Sequence, residues 1–384
     1  MAITILSQPT NENCTKTNLI YNVSSSNATQ PQFQYVMDVY ETLATGSADR
    51  LARIRQFPNP INEAVFDPAR IFDDNLEYDV NNLTQTGATL LIGTTQEKEF
   101  VCKFGEEYGT SPSSSVTLYP NLNSGNLIQV WPCQVDPNNG VSFESWGGLF
   151  PFTGSGAAYM SDRPDDILDG VNTYRHTAFI NRDVTLLPSN LYVTESYSSG
   201  TTNYYEAPYA QVMVLGTSQL VTGSDEVLTY TFEGVPYTRK FFEDCNYPIY
   251  NFMFINRYGV WENFSTNKPA RVNTSVGRQN YDQSFVNYSN DGAYNVKRRG
   301  STNFSTTVND DITISSDWLS KEGANWLQQL IESDEVYLAV SPDNSSFKPI
   351  VITNSSYVRN TARKDQKIFA YDITFKYANQ RRGR

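Results

Sequence analysis

The alternation of apolar and polar positions is cleanest in the last quarter of the chain. From Lys367 to Tyr377 it has period two, with Phe369, Tyr371, Ile373, Phe375 and Tyr377 on one face and Ala370, Asp372, Thr374 and Lys376 on the other. That is the pattern of a half-buried strand. Val336–Val340 and Pro349–Thr353 predict two more strands. Before them the period lengthens: Trp326, Leu327, Leu330 and Ile331 fall on one helical stripe, with Ser320 at the N-cap and Leu319 and Ala324 as a weak staple. The stretch from Ile312 to Tyr377 therefore predicts one helix packed on an antiparallel sheet.

Upstream, the pattern resolves into short strands. Asn18–Val23 is one; Pro31–Tyr40 is stronger, with Phe33, Tyr35, Met37 and Val39 on one face, and Arg50–Arg55 reads as its hairpin partner. Asp67 followed by Pro68 is a helix start, predicting a helix to about Leu76. Further strands are expected at Thr89–Ile92, Glu99–Phe104, Asn126–Trp131, Leu191–Thr194, Ala210–Leu215, Val227–Phe232, Ile249–Ile255 and Val260–Phe264. This spacing suits sandwich or barrel packing rather than βαβ units. Residues 266–307 are polar with scattered aromatics, which reads either as a long hairpin reaching away from the core or as a loop ordered only against a partner.

The expected class is mainly β: antiparallel β-sandwich-like domains with a few short helices, one C-terminal helix packed on an antiparallel sheet. The expected divisions are 1–84 (a small sandwich-like domain), 85–265 (a central β domain), 266–310 (the hairpin or loop) and 311–384 (helix plus β unit, separate or joined to 85–265).

Composition sharpens this. A chain of 384 residues has the length for at least two cores. Its 25 Tyr and 21 Phe, set among Asn, Ser, Thr and Gly, suit strands and turns. A formal net charge of −12 argues against nucleic acid as the main partner, since phosphate contacts need clustered bases. No run is long and apolar enough for a membrane helix, and the first residues lack the basic and apolar parts of an export signal, so neither membrane insertion nor Sec export is expected. Cys14, Cys102, Cys133 and Cys245 have no metal-ligand spacing. They are expected as thiols, with a Cys102–Cys133 bridge as the alternative.

Candidate chemistry is sparse. His176, the single histidine, lies in Tyr174–Phe179, which reads as a strand, and has no second imidazole to work with. Asp162, Asp165, Asp166 and Asp169 could offer oxygen ligands to Ca²⁺, yet their spacing is not that of an EF-hand, and a solvated turn with a helix cap is the plainer reading. Glu106 and Glu107 are adjacent and fall on opposite faces of a strand, while Glu97 and Glu99 share one; neither pair defines the cleft that a glycosidase needs. The glycines from Gly147 to Gly156 lack the Lys-Ser/Thr that follows a phosphate loop. No catalytic, metal or cofactor residue is assigned, and no cofactor is expected.

Several segments resemble a family of uncharacterised virion structural proteins of tailed phages, of the type infecting Bacteroidetes. They are the Phe33–Val39 strand with Phe57-Pro-Asn-Pro60 and Val65-Phe-Asp67, Phe104-Gly-Glu-Glu-Tyr108, and the run from Cys245 to Gly259. Densest are Ser316-Asp-Trp-Leu319, Glu335-Val-Tyr337, Pro349–Thr353 and Tyr371–Asn379. The resemblance implies a non-enzymatic homo-oligomeric ring or spike component in the tail, baseplate or portal vertex, made in the bacterial cytoplasm and carried in the virion. Its partners would be copies of itself and other virion proteins. The candidate interface residues are Tyr281, Phe285, Tyr288, Lys297, Arg298 and Arg299 in the polar stretch, and Arg381, Arg382 and Arg384 at the tail. The alternative is a spike or fibre module binding a host receptor or glycan through Trp146, Tyr204 and Tyr205 or through the polar stretch; a β-fold glycoside hydrolase comes third.

Overall fold

A computed structural model describes residues 3–9, 12–42, 48–78, 80–84, 86–90, 97–134, 157–181, 191–207, 212–217, 226–232, 234–243, 246–282, 300–341, 343–354 and 369–379. The fold is mainly β, as expected: its strands form five sheets, accompanied by two α-helices among the described residues.

At the N-terminus, β1 (Ile3–Ser7), β3 (Tyr21–Ser25) and β6 (Glu63–Phe66) make a three-stranded sheet in the order β1-β3-β6. It shares a core with a five-stranded sheet of β2 (Glu12–Cys14), β9 (Thr117–Trp131), β8 (Lys98–Tyr108), β4 (Gln34–Thr42) and β5 (Ala48–Gln56), in that order. The predicted face of β4 supplies Tyr35, Met37 and Val39, all buried beside Phe33. Phe104 of β8 meets Tyr21 and Phe66 across the gap, with ring centroids 5.4 and 6.0 Å apart. The helix predicted after Pro68 is α1 (Ala69–Asp73), shorter than its pattern suggested. Asp67 Oδ1 accepts from Ala69 N at 3.1 Å but also from Leu19 N at 3.0 Å, and Phe72 stacks on Phe100. Because β8 and β9 pair into the same sheet as β4, strand pairing crosses the division expected at residue 84.

Two sheets make the centre. One runs β10 (Ala157–Tyr159), β12 (Arg175–Asn181), β15 (Val212–Thr217), β7 (Gly87–Leu90); the other runs β11 (Leu168–Gly170), β17 (Val235–Phe242), β16 (Val227–Phe232), β13 (Leu191–Tyr197), β14 (Thr202–Ala207). Phe179, Met213 and Leu215 pack on Val193, Leu228, Tyr230, Phe232 and Phe241 of the second sheet. Their alternates Ala178, Ile180 and Val214 point the other way, onto Trp131, Met160 and Val260. Both faces of β12 and β15 are thus covered, which is why β15 reads as a nearly continuous apolar run, whereas β12 is apolar only from Ala178 to Ile180 and buries Arg175, His176 and Thr177 as polar groups.

The last sheet has seven strands, in the order β19 (Trp261–Thr266), β18 (Tyr250–Ile255), β22 (Val336–Val340), β23 (Asp343–Ile352), β24 (Asp372–Tyr377), β21 (Ser301–Ser315), β20 (Arg271–Asp282). Helix α2 (Lys321–Glu332) lies on it where the stripe predicts, with Trp326 against Phe254 and Phe264. Ser320 Oγ caps it by accepting from Gly323 N at 3.0 Å. Met253 and Ile255 face the opposite side, toward Leu83 and Trp261. One sheet therefore spans both 266–310 and 311–384.

The cysteine expectation needs correcting. Cys14 and Cys133 form a disulfide, and Cys102 is a buried free thiol; Cys245 lies outside the described residues. Parallel pairing of β2 with the end of β9 sets Cys14 opposite Trp131, and Lys16 N donates to Cys133 O at 3.1 Å. Cys102 sits in β8 with its side chain in the N-terminal core, well away from that seam. A contact between segments 119 residues apart has no local sequence signal.

Candidate functional site

Beyond the end of β24, the hairpin β20–β21 leaves the body of the protein. Antiparallel pairing runs from Arg271 opposite Thr313 to Asp282 opposite Ser301, but β24 supports β21 only between Ile312 and Ser315. The outer half is a two-stranded ribbon, and every residue of β20 is exposed. Of the two expectations for 266–307, the described part is the hairpin. An isolated two-stranded hairpin is marginally stable in water, because it has no buried face to offset the entropy of ordering it.

The ribbon carries side chains that a solvated arm does not need. Val272 is 59% and Phe304 63% exposed, with Val276 and Tyr281 also in solvent. Register shifts between Gln279 and Asn280, so that Gln279 faces Ser305 while Asn280 faces Asn303. The extra residue is Phe304, a bulge that turns its ring to within 6.1 Å of the Tyr281 centroid. Asn303 holds the bulge from inside the strand: its Oδ1 accepts from Ser305 N at 3.1 Å and its Nδ2 donates to Thr306 Oγ1 at 2.7 Å. At the root, where β21 diverges from β24, lies a groove of about 410 Å³ lined by Val308, Asp310, Lys348, Pro349, Lys376 and Tyr377.

Of the residues predicted for an interface, Tyr281 is on this arm and exposed. Phe285, Tyr288, Lys297, Arg298 and Arg299 lie outside the described residues, as do Arg381, Arg382 and Arg384. Trp146 and the Gly147–Gly156 loop are outside them too. Tyr204 stands 70% exposed on β14, whereas Tyr205 beside it donates its hydroxyl to Glu195. Sequence reasoning did not single out Val272, Val276 or Phe304 as surface groups. The period-two pattern that marks a buried face is absent from β20, and that lack was the available signal.

In the acidic turn Asp165 and Asp166 are exposed, as a solvated turn has them, and the correction is at Asp169. Asp169 is not solvated and caps no helix: it lies on β11, fully buried, 3.0 Å from Arg163 Nη2 and 3.0 Å from Arg239 Nη1, and accepts from Asn263 Nδ2 at 2.8 Å. Arg239 also donates to His176 O and Thr177 Oγ1, both at 2.8 Å. Burial raises the carboxyl's proton affinity, but Arg163, Arg239 and Arg175 outweigh it and hold Asp169 below the usual carboxylate range. Next to this cluster Glu262 accepts from Ser161 Oγ and from Asn256 Nδ2, and burial pushes its pKa up. Asp162 lies apart, paired with Arg257 at 2.6 Å. No group of three or more His, Cys, Asp or Glu among the described residues is placed to hold a metal ion. With its charges sealed from solvent, the Asp169 cluster joins β11, β12 and β17 to β19; it is the joint between the central sheets and the seven-stranded one.

Two of the other candidate carboxylates, Glu106 and Glu107, are engaged. Glu106 is buried and accepts from Ser25 Oγ at 2.6 Å and Asn27 Nδ2 at 2.7 Å, while Glu107 pairs with Arg55 at 2.9 Å. His176 is buried in β12, as its strand position suggested. No helix among the described residues is long and apolar enough to cross a membrane. No protein-family model matches the chain, and no curated protein matches it.

Proposed function

We propose that this chain is a bacteriophage virion structural protein, an oligomeric tail, baseplate or portal-vertex component whose role is particle assembly. The observation that carries this reading is the β20–β21 arm: a long ribbon, supported by its own subunit only at its root, with Val272, Val276, Tyr281 and Phe304 in solvent. Such an element gains its missing buried face from a neighbour. The resemblance of Ser316-Asp-Trp-Leu319, Pro349–Thr353 and Tyr371–Asn379 to phage virion proteins supports the same reading. Its mechanism is adhesive: a rigid β body holds the arm, and the arm joins subunits.

The test is deletion of Thr274–Asn303. The body should keep its thermal transition, since the arm adds nothing to the described cores. Oligomers seen by mass photometry, and incorporation into particles seen by mass spectrometry of purified virions, should be lost. Unchanged incorporation would overturn the proposal.

A second reading, a receptor- or glycan-binding spike module, is favoured by Tyr204 and by Trp318, each 70% exposed. Aromatic faces of this kind stack on sugars. It predicts glycan-array binding that falls on Tyr204→Ala or Trp318→Ala and survives loss of the arm.

A further inference from the structure

Sheet edges attract other strands, and proteins guard them by shortness, charge, bulges or cover. Among the described residues, the edge strands are guarded by those means or are at most six residues long, with one exception. β2, β10 and β11 are three residues long. β5 carries Arg50, Arg53 and Arg55 along its length, and β19 is buried throughout. The outer side of β21 is broken by the Phe304 bulge and carries Asp310 and Asp311. β20 is the exception: twelve exposed residues, no bulge within it, and no charged residue or proline from Val272 to Gly277.

We propose that the occupant of this edge is β20 of a second copy, paired antiparallel about a two-fold axis through Val276, so that two seven-stranded sheets become one continuous sheet. This rests on the assembly reading above and specifies its partner. A two-fold antiparallel pair brings together residues whose backbone groups point the same way, so the axis must pass through a single residue position. Centred on Val276, Val276 meets Val276 of the partner subunit, and Arg271 meets the partner's Tyr281, a guanidinium over an exposed ring. Thr274 meets the partner's Arg278, Asn273 the partner's Gln279, and no like charges face each other. A centre at Gly277 sets Arg278 against the partner's Val276 and Asp282 against the partner's Val272, leaving charges opposite apolar groups. A centre at Ser275 sets Arg278 against the partner's Val272 and loses the Arg271 contact with Tyr281. The paired span from Arg271 to Tyr281 is about 36 Å long at strand rise, and its main-chain bonds form without reorganising the subunit.

The test uses the full chain. In Val276→Cys the two cysteines are directly opposed, within disulfide range, whereas in Ser275→Cys each is displaced by two residues along the pair. Mild oxidation should give a covalent dimer with Val276→Cys and, as with the wild type, none with Ser275→Cys. Val276→Lys opposes two ammonium groups at the axis and should raise the dimer dissociation constant by about tenfold or more in sedimentation, with the melting transition retained. Equal crosslinking of both cysteine variants, or none with Val276→Cys, would overturn the pairing. A wild-type chain that stays monomeric, while arm deletion still blocks incorporation into particles, overturns self-pairing and leaves the assembly reading standing. Crosslinking of Val276→Cys with incorporation unaffected by arm deletion does the reverse.

Discussion

Asp169 and Glu262 are both fully buried carboxyls, and their surroundings give them opposite characters. Asp169 is held ionised by the arginines around it, so it contributes stability that is fully present above its ordinary value of 3.8 and is lost as pH falls through the lower folded-state value. Glu262 is shifted the other way, above its ordinary 4.5, so its contribution is present at low pH and is lost as pH rises through the folded-state value. Two substitutions separate them. Asp169→Asn leaves Arg163 and Arg239 buried without a counter-charge and should cost about 3–5 kcal/mol in denaturant unfolding. Glu262→Gln keeps an acceptor for one of its two donors and should stay within about 1 kcal/mol, while flattening the decline of stability as pH rises through the Glu262 folded-state value. Neither behaviour could be read from the sequence. The spacing from Asp162 to Asp169 looks like a solvated turn, and two of the partners of Asp169, Arg239 and Asn263, come from strands that only the fold brings near.

At the scale of elements, legibility followed burial on one face. Helix α2 and its strand neighbours were plain because each has one apolar side: Phe369, Tyr371, Ile373 and Phe375 are buried as the alternation requires. Gly323 in the first turn of α2 was not explained by that pattern. A Cβ there would come within 2.8 Å of Ile167 Cδ1, so the glycine lets the segment before β11 pack directly on the helix. The Ser320 cap is a local device and was legible; Ser320→Ala should cost about 1 kcal/mol, measured as a lower denaturation midpoint with unchanged slope. α1 was overextended: after Asp73 the chain leaves the helix through turns in which Asn75 N and Leu76 N donate to Phe72 O and Asp73 O, and Asn75 Nδ2 donates to Ile71 O at 2.6 Å. Strands β12 and β15, buried on both faces, gave position but not partners.

The whole molecule is held by seams between units that are distant in sequence. At one of them the Cys14–Cys133 disulfide joins the start of the chain to the segment after β9. Beside it Trp131 Nε1 donates to Tyr258 O at 2.6 Å, across a turn where Gly259 has φ +78°. A side chain at Gly259 would be strained by that φ and would meet Pro132 O at 2.6 Å. Because the bridge closes a loop of 119 residues, Cys14→Ser together with Cys133→Ser should destabilise the chain by about 4–5 kcal/mol on the loop-entropy scale. In the same experiment Cys102 should resist alkylation until the protein unfolds, since burial pushes its thiol pKa up to about 12.

The sequence by itself determined the fold class, the C-terminal helix with its cap, and most strand positions, because those follow from periodicity and capping within a few residues of chain. It also marked 266–307 as a stretch without a buried face. Tertiary structure decided which strands share a sheet, which cysteines pair, that Asp169 is dry, and that the described part of the polar stretch is a ribbon whose outer strand has an open edge. These depend on contacts between segments far apart in the chain, and a local pattern carries the burial of a residue but not the identity of what buries it.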